Sequence, residues 1–409
     1  MDRFTAGDPL RGLATLSIII SHAANTVLHS RGVPVEAVRS VAPETFGWMA
    51  MPLLYTGGVG LALFFALSGY LIGRPFVRAF LAGTSVPPIG PYLANRLLRI
   101  VPAFWVTVTL TLILFQPGGS PADAAAVYLF VQNYWPSDIA RFVEHAWSID
   151  VEVGFYLLMP AVAVLLTWLA RTLSGARARL LILLYLLLAG IALGEFLILS
   201  EAPGSGALRT VLSWLPFLLL GLVLATIEPT AVARLRGRER AGAPAIALLA
   251  GAVLFCALHL RFSLGDRPSP EGSVVTLFVG AGCLIAAPLV LQWGERPCWR
   301  ALDNRALRWI GERSYSMYLL HVIPILLLAP LVASLASGSP WDMLLGLLAL
   351  ELAILLPAAA LSYRFVERPF LALKRRRVAG SLWPVAARTG RAPGRTAYHG
   401  GGSPSDRAR

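Results

Sequence analysis

A chain of 409 residues that is 56% hydrophobic and 14% charged, with a mean hydropathy of +0.67, is too apolar for a water-soluble fold. The net charge of +13 would suit a nucleic-acid binder in water, but 34 arginines and the lone Lys374 fall in the gaps between apolar runs. Fixing orientation in a bilayer accounts for that placement, so no nucleic-acid partner is expected.

Ten apolar segments follow one another, at about 11–29, 49–73, 100–116, 146–170, 180–199, 209–227, 243–261, 273–293, 314–335 and 342–363. Each approaches the roughly 20 residues that cross a hydrocarbon core as a helix. The expectation is an all-α, polytopic membrane helix bundle of about ten transmembrane helices. Residues 12–28 contain His22 and no small-residue cleavage pattern, and read as a permanent first span. Pro102, Pro160, Pro216, Pro288, Pro324 and Pro357 are expected as tolerated kinks. Cys256, Cys283 and Cys298 have no paired spacing and read as packing residues, with no metal site expected.

With the N-terminus placed in the cytoplasm and the spans alternating, 29 basic residues fall inside and 6 outside. That asymmetry predicts an even number of spans with both termini cytoplasmic. Residues 1–377 form the expected transmembrane domain. Residues 378–409, rich in Gly, Pro, Ser and Arg, read as a disordered cytoplasmic tail.

Polar residues inside spans are costly there, which makes each a functional candidate. In the first span Arg11 and His22 are eleven positions apart, about 20° around a helix and about 16 Å along it. With Arg11 at the cytoplasmic boundary, His22 lies near mid-depth as a general base or a packing residue. FFALSGYLIG (64–73) closes the second span; its Ser68 and Gly69 read mainly as packing residues that allow close helix approach, beside Tyr70. Arg96 and Arg99, one turn apart in NRLLRI (95–100), suit either a phosphorylated ligand or lipid headgroups.

The fourth span opens as HAWSIDVEVGFY (145–156), where Asp150 and Glu152 enter the apolar stretch and require a partner such as His22 or an arginine. His145 and Trp147 precede them, the tryptophan reading as an interfacial anchor. GERSYSMYLLH (311–321) places His321 about 12 Å past Arg313. Glu195 and Glu351 read as structural.

Taken in order, LRGLATLSIIISH (10–22), FFALSGYLIG, NRLLRIVPAFW (95–105), HAWSIDVEVGFY, GERSYSMYLLH and FVERPF (365–370) resemble the acyltransferase-3 family of membrane O-acyltransferases. The resemblance spans nearly the whole chain. It implies a bacterial cytoplasmic-membrane enzyme that moves an acyl group, acetyl by default, from acyl-CoA to a hydroxyl of a sugar, glycan or glycosylated metabolite. His22 is then the catalytic base, Glu152 or Asp150 its orienting acid, and Arg11, Arg96 and Arg99 the donor-binding cations. His145, His321, Ser68 and Tyr70 are additional candidates. Acyl-CoA is expected as substrate, with no bound cofactor. The sequence departs from the family at Val153 and Gly154, where a second acid and a glutamine-like residue are usual. The rival reading is a transporter or lipid flippase with a buried His–Glu pair.

Overall fold

The computed structural model of the protein describes residues 6–32, 46–135, 143–170, 175–200, 210–236, 241–264, 270–295, 304–335 and 339–373. Among them there are helices and turns and no strand. In lipid a helix bonds its own backbone groups, which a chain this apolar requires. In chain order the helices are α1 (Gly7–Ser30), α2 (Phe46–Ala82), α3 (Ile89–Phe115), α4 (Pro121–Tyr128), α5 (Trp147–Leu169), α6 (Ala176–Ser200) and α7 (Leu215–Leu235). They continue with α8 (Gly242–Leu264), α9 (Pro270–Trp293), α10 (Arg305–Glu312), α11 (Ser314–Leu320), α12 (Val322–Ser334) and α13 (Pro340–Ser362).

Eight of the described helices are long and apolar enough to cross a membrane, or nine if α11 and α12 form one bent span. α1 has 24 residues, long enough to cross at 1.5 Å per residue, but its polar side chains make it less apolar than the others. With α1 included, every apolar segment predicted from the sequence is helical. Apolar side chains stay exposed on the outer helices, as at Tyr185 (70%) and Val253 (73%), a surface suited to lipid. The segment predicted to be a disordered tail lies outside the described residues.

Small residues set the helix contacts at the centre. A Cβ on Gly69 would stand 1.9 Å from the Leu218 carbonyl oxygen, and one on Gly221 would stand 2.1 Å from that of Ala66. α2 and α7 therefore touch backbone to backbone, as Gly69 was expected to permit. α1 meets α10 in the same way, with a Cβ on Gly311 only 1.8 Å from the Asp8 carbonyl.

Two departures from the expected spans shape the interior. The predicted ninth span is broken, with α11 and α12 meeting at 41° around His321. Pro324 explains the break: it has no N–H for the Leu320 carbonyl four residues back, and its ring crowds that oxygen. The fourth span starts among buried residues. His145, Ala146, Ser148 and Ile149 are all at most 6% exposed, so α5 begins inside the protein. Trp147, read from the sequence as an interfacial anchor, packs on Trp214 at 5.4 Å between ring centroids.

Outside the spans, Ser120 and Asp123 cap α4 reciprocally. The backbone N–H of Ser120, then the Trp135 indole N–H and the Ser120 hydroxyl, hold the Asp123 carboxyl below its ordinary pKa.

Candidate active site

Two cavities meet in the interior, and Leu61 and Tyr318 line both. The first collects Arg11 from α1, Ser68 from α2, Arg96 and Arg99 from α3, and Glu152 and Tyr156 from α5. Arg96 and Arg99 reach it together because three helical residues return to nearly the same face. Glu152 Oε1 accepts hydrogen bonds from Ser68 Oγ and from the Tyr156 hydroxyl, each 2.8 Å long. The Arg96 guanidinium lies 5.7 Å from the ring centroids of both Tyr92 and Tyr156. Arg11 pairs with Asp8 at 3.5 Å and lies within electrostatic reach of Arg99 and Glu152. Three guanidinium groups against one carboxylate leave the lining with surplus positive charge. Such a lining suits a polyanion.

The second cavity is lined by Ser21, His22 and Asn25 of α1, by Gly58 of α2, and by His145 and Trp147 at the entry to α5. None of its lining residues carries a fixed charge. Ile18, Ser21, His22 and Asn25 share it because spacings of three and four return to one helix face. His321 stands behind this wall, fully buried, its ring centroid 5.0 Å from that of His22 and 5.0 Å from that of His145.

Proline-broken helix geometry fixes the two buried imidazoles. The His321 ring lies with Nδ1 2.6 Å from the Tyr318 carbonyl oxygen, and His145 with Nε2 3.1 Å from that of Leu319. A carbonyl only accepts, so these nitrogens carry the protons. His321 Nε2 and His145 Nδ1 are then left as bare lone pairs, buried and without a hydrogen-bond partner among the described residues. The Tyr318 hydroxyl donates to the His145 carbonyl at 2.6 Å and lies 2.7 Å from Ser148 Oγ, which fixes the shared wall.

Of the residues singled out from the sequence, Arg11, Ser68, Arg96, Arg99 and Glu152 come together in the first cavity, and His22 and His145 in the second. Glu152 is placed among the arginines, not behind His22 as its orienting acid. Arg11, Arg96 and Arg99 line that cavity with it, and Arg11 lies within its electrostatic reach. Asp150 lines neither cavity. Two residues from Glu152, it points to the opposite side of α5, where Oδ2 accepts the Asn133 N–H at 3.3 Å.

Tyr70 also lies elsewhere. Its hydroxyl donates to Glu228 Oε1 at 3.1 Å, beside Arg74, which is bonded to the same carboxylate, and Arg78, 3.2 Å from it. Sequence reading missed this ion cluster, although Glu228 at a span end and arginines four apart were visible signals. It also missed Tyr315 and Tyr318, which line the first cavity from one face of α11. Among the described residues no group of His, Cys, Asp and Glu is arranged to hold a metal ion.

The family described as an acyltransferase domain, acyltransferase-3, matches residues 8–363, which takes in both cavities. The chain belongs to this family. It is therefore a multi-pass membrane protein of a bacterial acyltransferase family. The peptidoglycan O-acetyltransferase OatA of Listeria monocytogenes is 26% identical over 76% of this chain and 51% of its own length. The O-acetyltransferase OatA of Staphylococcus aureus is 28% identical over 76% of this chain and 52% of its own. The putative peptidoglycan O-acetyltransferase YrhL of Bacillus subtilis is 26% identical over 88% and 54%. The chain spans about half the length of these relatives. No solved structure matches it.

Proposed function

We propose that the protein transfers an acyl group, acetyl in the first instance, from a coenzyme A thioester to a hydroxyl of a glycan. The names of the relatives make peptidoglycan the leading acceptor class. The observation that carries this reading is the meeting of a cation-lined cavity with an uncharged, imidazole-lined one at Tyr318 and Leu61. The first matches a phosphate-bearing donor and the second a hydroxyl acceptor. Both termini are assigned to the cytoplasm, because 29 of 35 basic residues then lie inside. Arg11, Arg96 and Arg99 lie in the parts of α1 and α3 that this orientation puts nearer that side, where acyl-CoA is made.

Arg96 and Arg99 bind the donor's phosphates, and Arg11 assists. Glu152, held by Ser68 and Tyr156, places one negative charge in the same lining. An alcohol ionises far above neutral pH and attacks a thioester poorly until a base takes its proton. His22 accepts that proton while the oxygen adds to the thioester carbonyl. When the C–S bond breaks, the imidazolium returns the proton to the leaving thiolate. The products are an ester and a free thiol.

Reconstitution in proteoliposomes with acetyl-labelled coenzyme A and soluble peptidoglycan fragments tests this reading. Label is expected in the glycan in ester linkage. Movement of an unacylated substrate across the bilayer, with no labelled ester, would instead establish a transporter.

A further inference from the structure

We infer that the cavity beside His22 is the acceptor subsite, built to hold an uncharged, hydroxyl-bearing sugar ring between α1, α2 and the entry of α5. This assignment rests on the acyl-transfer reading above and says where the acceptor sits and which groups grip it.

The lining has the chemistry of a sugar site. Trp147 presents an aromatic ring, Asn25 an exposed carboxamide, and His145 an imidazole. Sugar rings combine an apolar face with a rim of hydroxyls, and an aromatic plate with nearby amide and acceptor groups meets both. His145 supplies an acceptor that nothing in the described protein satisfies. Its Nε2–H is held by the Leu319 carbonyl, so Nδ1 is left as a buried lone pair with no partner among the described residues, on a residue 6% exposed that lines the cavity. His22 lines the same cavity three residues from Asn25, so a ring held there presents a neighbouring hydroxyl to the base. The absence of fixed charge sets this space apart from the arginine cavity and disfavours phosphate or carboxylate in it.

One wall is left open by the sequence. A Cβ on Gly58 would meet nothing within 4 Å, although the residue lies within α2 and lines this cavity. Its neighbour Gly57 is different, since a Cβ there would collide with Ser21 at 2.6 Å from Oγ. The missing side chain at position 58 is thus not required by helix packing and makes room for a ligand. Gly58→Leu fills that room without a backbone clash.

The test is steady-state kinetics of the full chain in nanodiscs, with acetyl-labelled coenzyme A and soluble peptidoglycan fragments. Gly346→Leu is the control, because a Cβ at Gly346 also meets nothing and that residue lines neither cavity. Gly58→Leu is expected to raise the acceptor KM at least tenfold with the donor KM unchanged, and Gly346→Leu to change neither. An unchanged acceptor KM in Gly58→Leu, in a preparation where the unsubstituted protein transfers label, would overturn the subsite and leave the acyl-transfer reading standing. Absence of ester formation by the unsubstituted protein would overturn both. A donor KM that rises instead would assign the cavity to the acyl-CoA.

Discussion

Pro324 cannot bond to the Leu320 carbonyl, and beside the bend at His321 the Tyr318 and Leu319 carbonyls meet the nitrogens of His321 and His145. Those two carbonyls, one turn before the bend, set the tautomers of the two buried imidazoles. On the donor side, Arg99→Ala removes one charge-assisted phosphate contact, and the KM for acetyl-CoA should rise about 10- to 100-fold. The acceptor KM should stay put; initial-rate kinetics varying each substrate decide this, and the reverse pattern would reassign the pair. Away from the chemistry, Glu228 is 2% exposed and receives Arg74, Arg78 and Tyr70. Glu228→Ala leaves buried cation charge unpaired, with an expected loss of about 3–5 kcal/mol. A melting curve in detergent that matches the unsubstituted protein would show the cluster to be dispensable.

At the scale of elements, helices were the legible part, because their signal is length and continuous apolarity. Where a helix starts within the protein was not legible. HAWSID looks like an interfacial entry because tryptophan and charge flank an apolar run, yet all of these residues but the half-buried Trp147 are buried. Of the two partners the sequence offered Glu152, His22 or an arginine, the cavity lining it shares is that of the arginines from two other helices. The break at His321 was half legible, since Pro324 was visible but proline bends helices in lipid without always breaking them. Pro324→Ala restores the N–H for the Leu320 carbonyl and should straighten α11 into α12. The expected result is a fall in kcat with the donor KM preserved. An unaltered kcat would remove the bend from the mechanism.

Across the whole molecule, the sequence grouped the arginines and the histidines by motif but could not assign them to two cavities. That division depends on contacts between α1, α3, α5 and α11, which lie far apart in the chain. Charge asymmetry supplied the orientation, and it is open to direct measurement. After the native cysteines are replaced, Thr84→Cys should react with membrane-impermeant maleimide only in inverted vesicles, and Gly118→Cys only in intact cells. The opposite pattern would invert the protein and place the arginine cavity away from the cytoplasmic donor.

The central claim is that the His22 imidazole takes the proton from the acceptor. Single-turnover transfer from bound, labelled acetyl-CoA to glycan, comparing His22→Ala with the unsubstituted protein at equal donor occupancy, tests it most directly. The predicted result is unchanged acetyl-CoA binding with ester formation slowed about 100-fold or more. Ester formation at the original rate would contradict it.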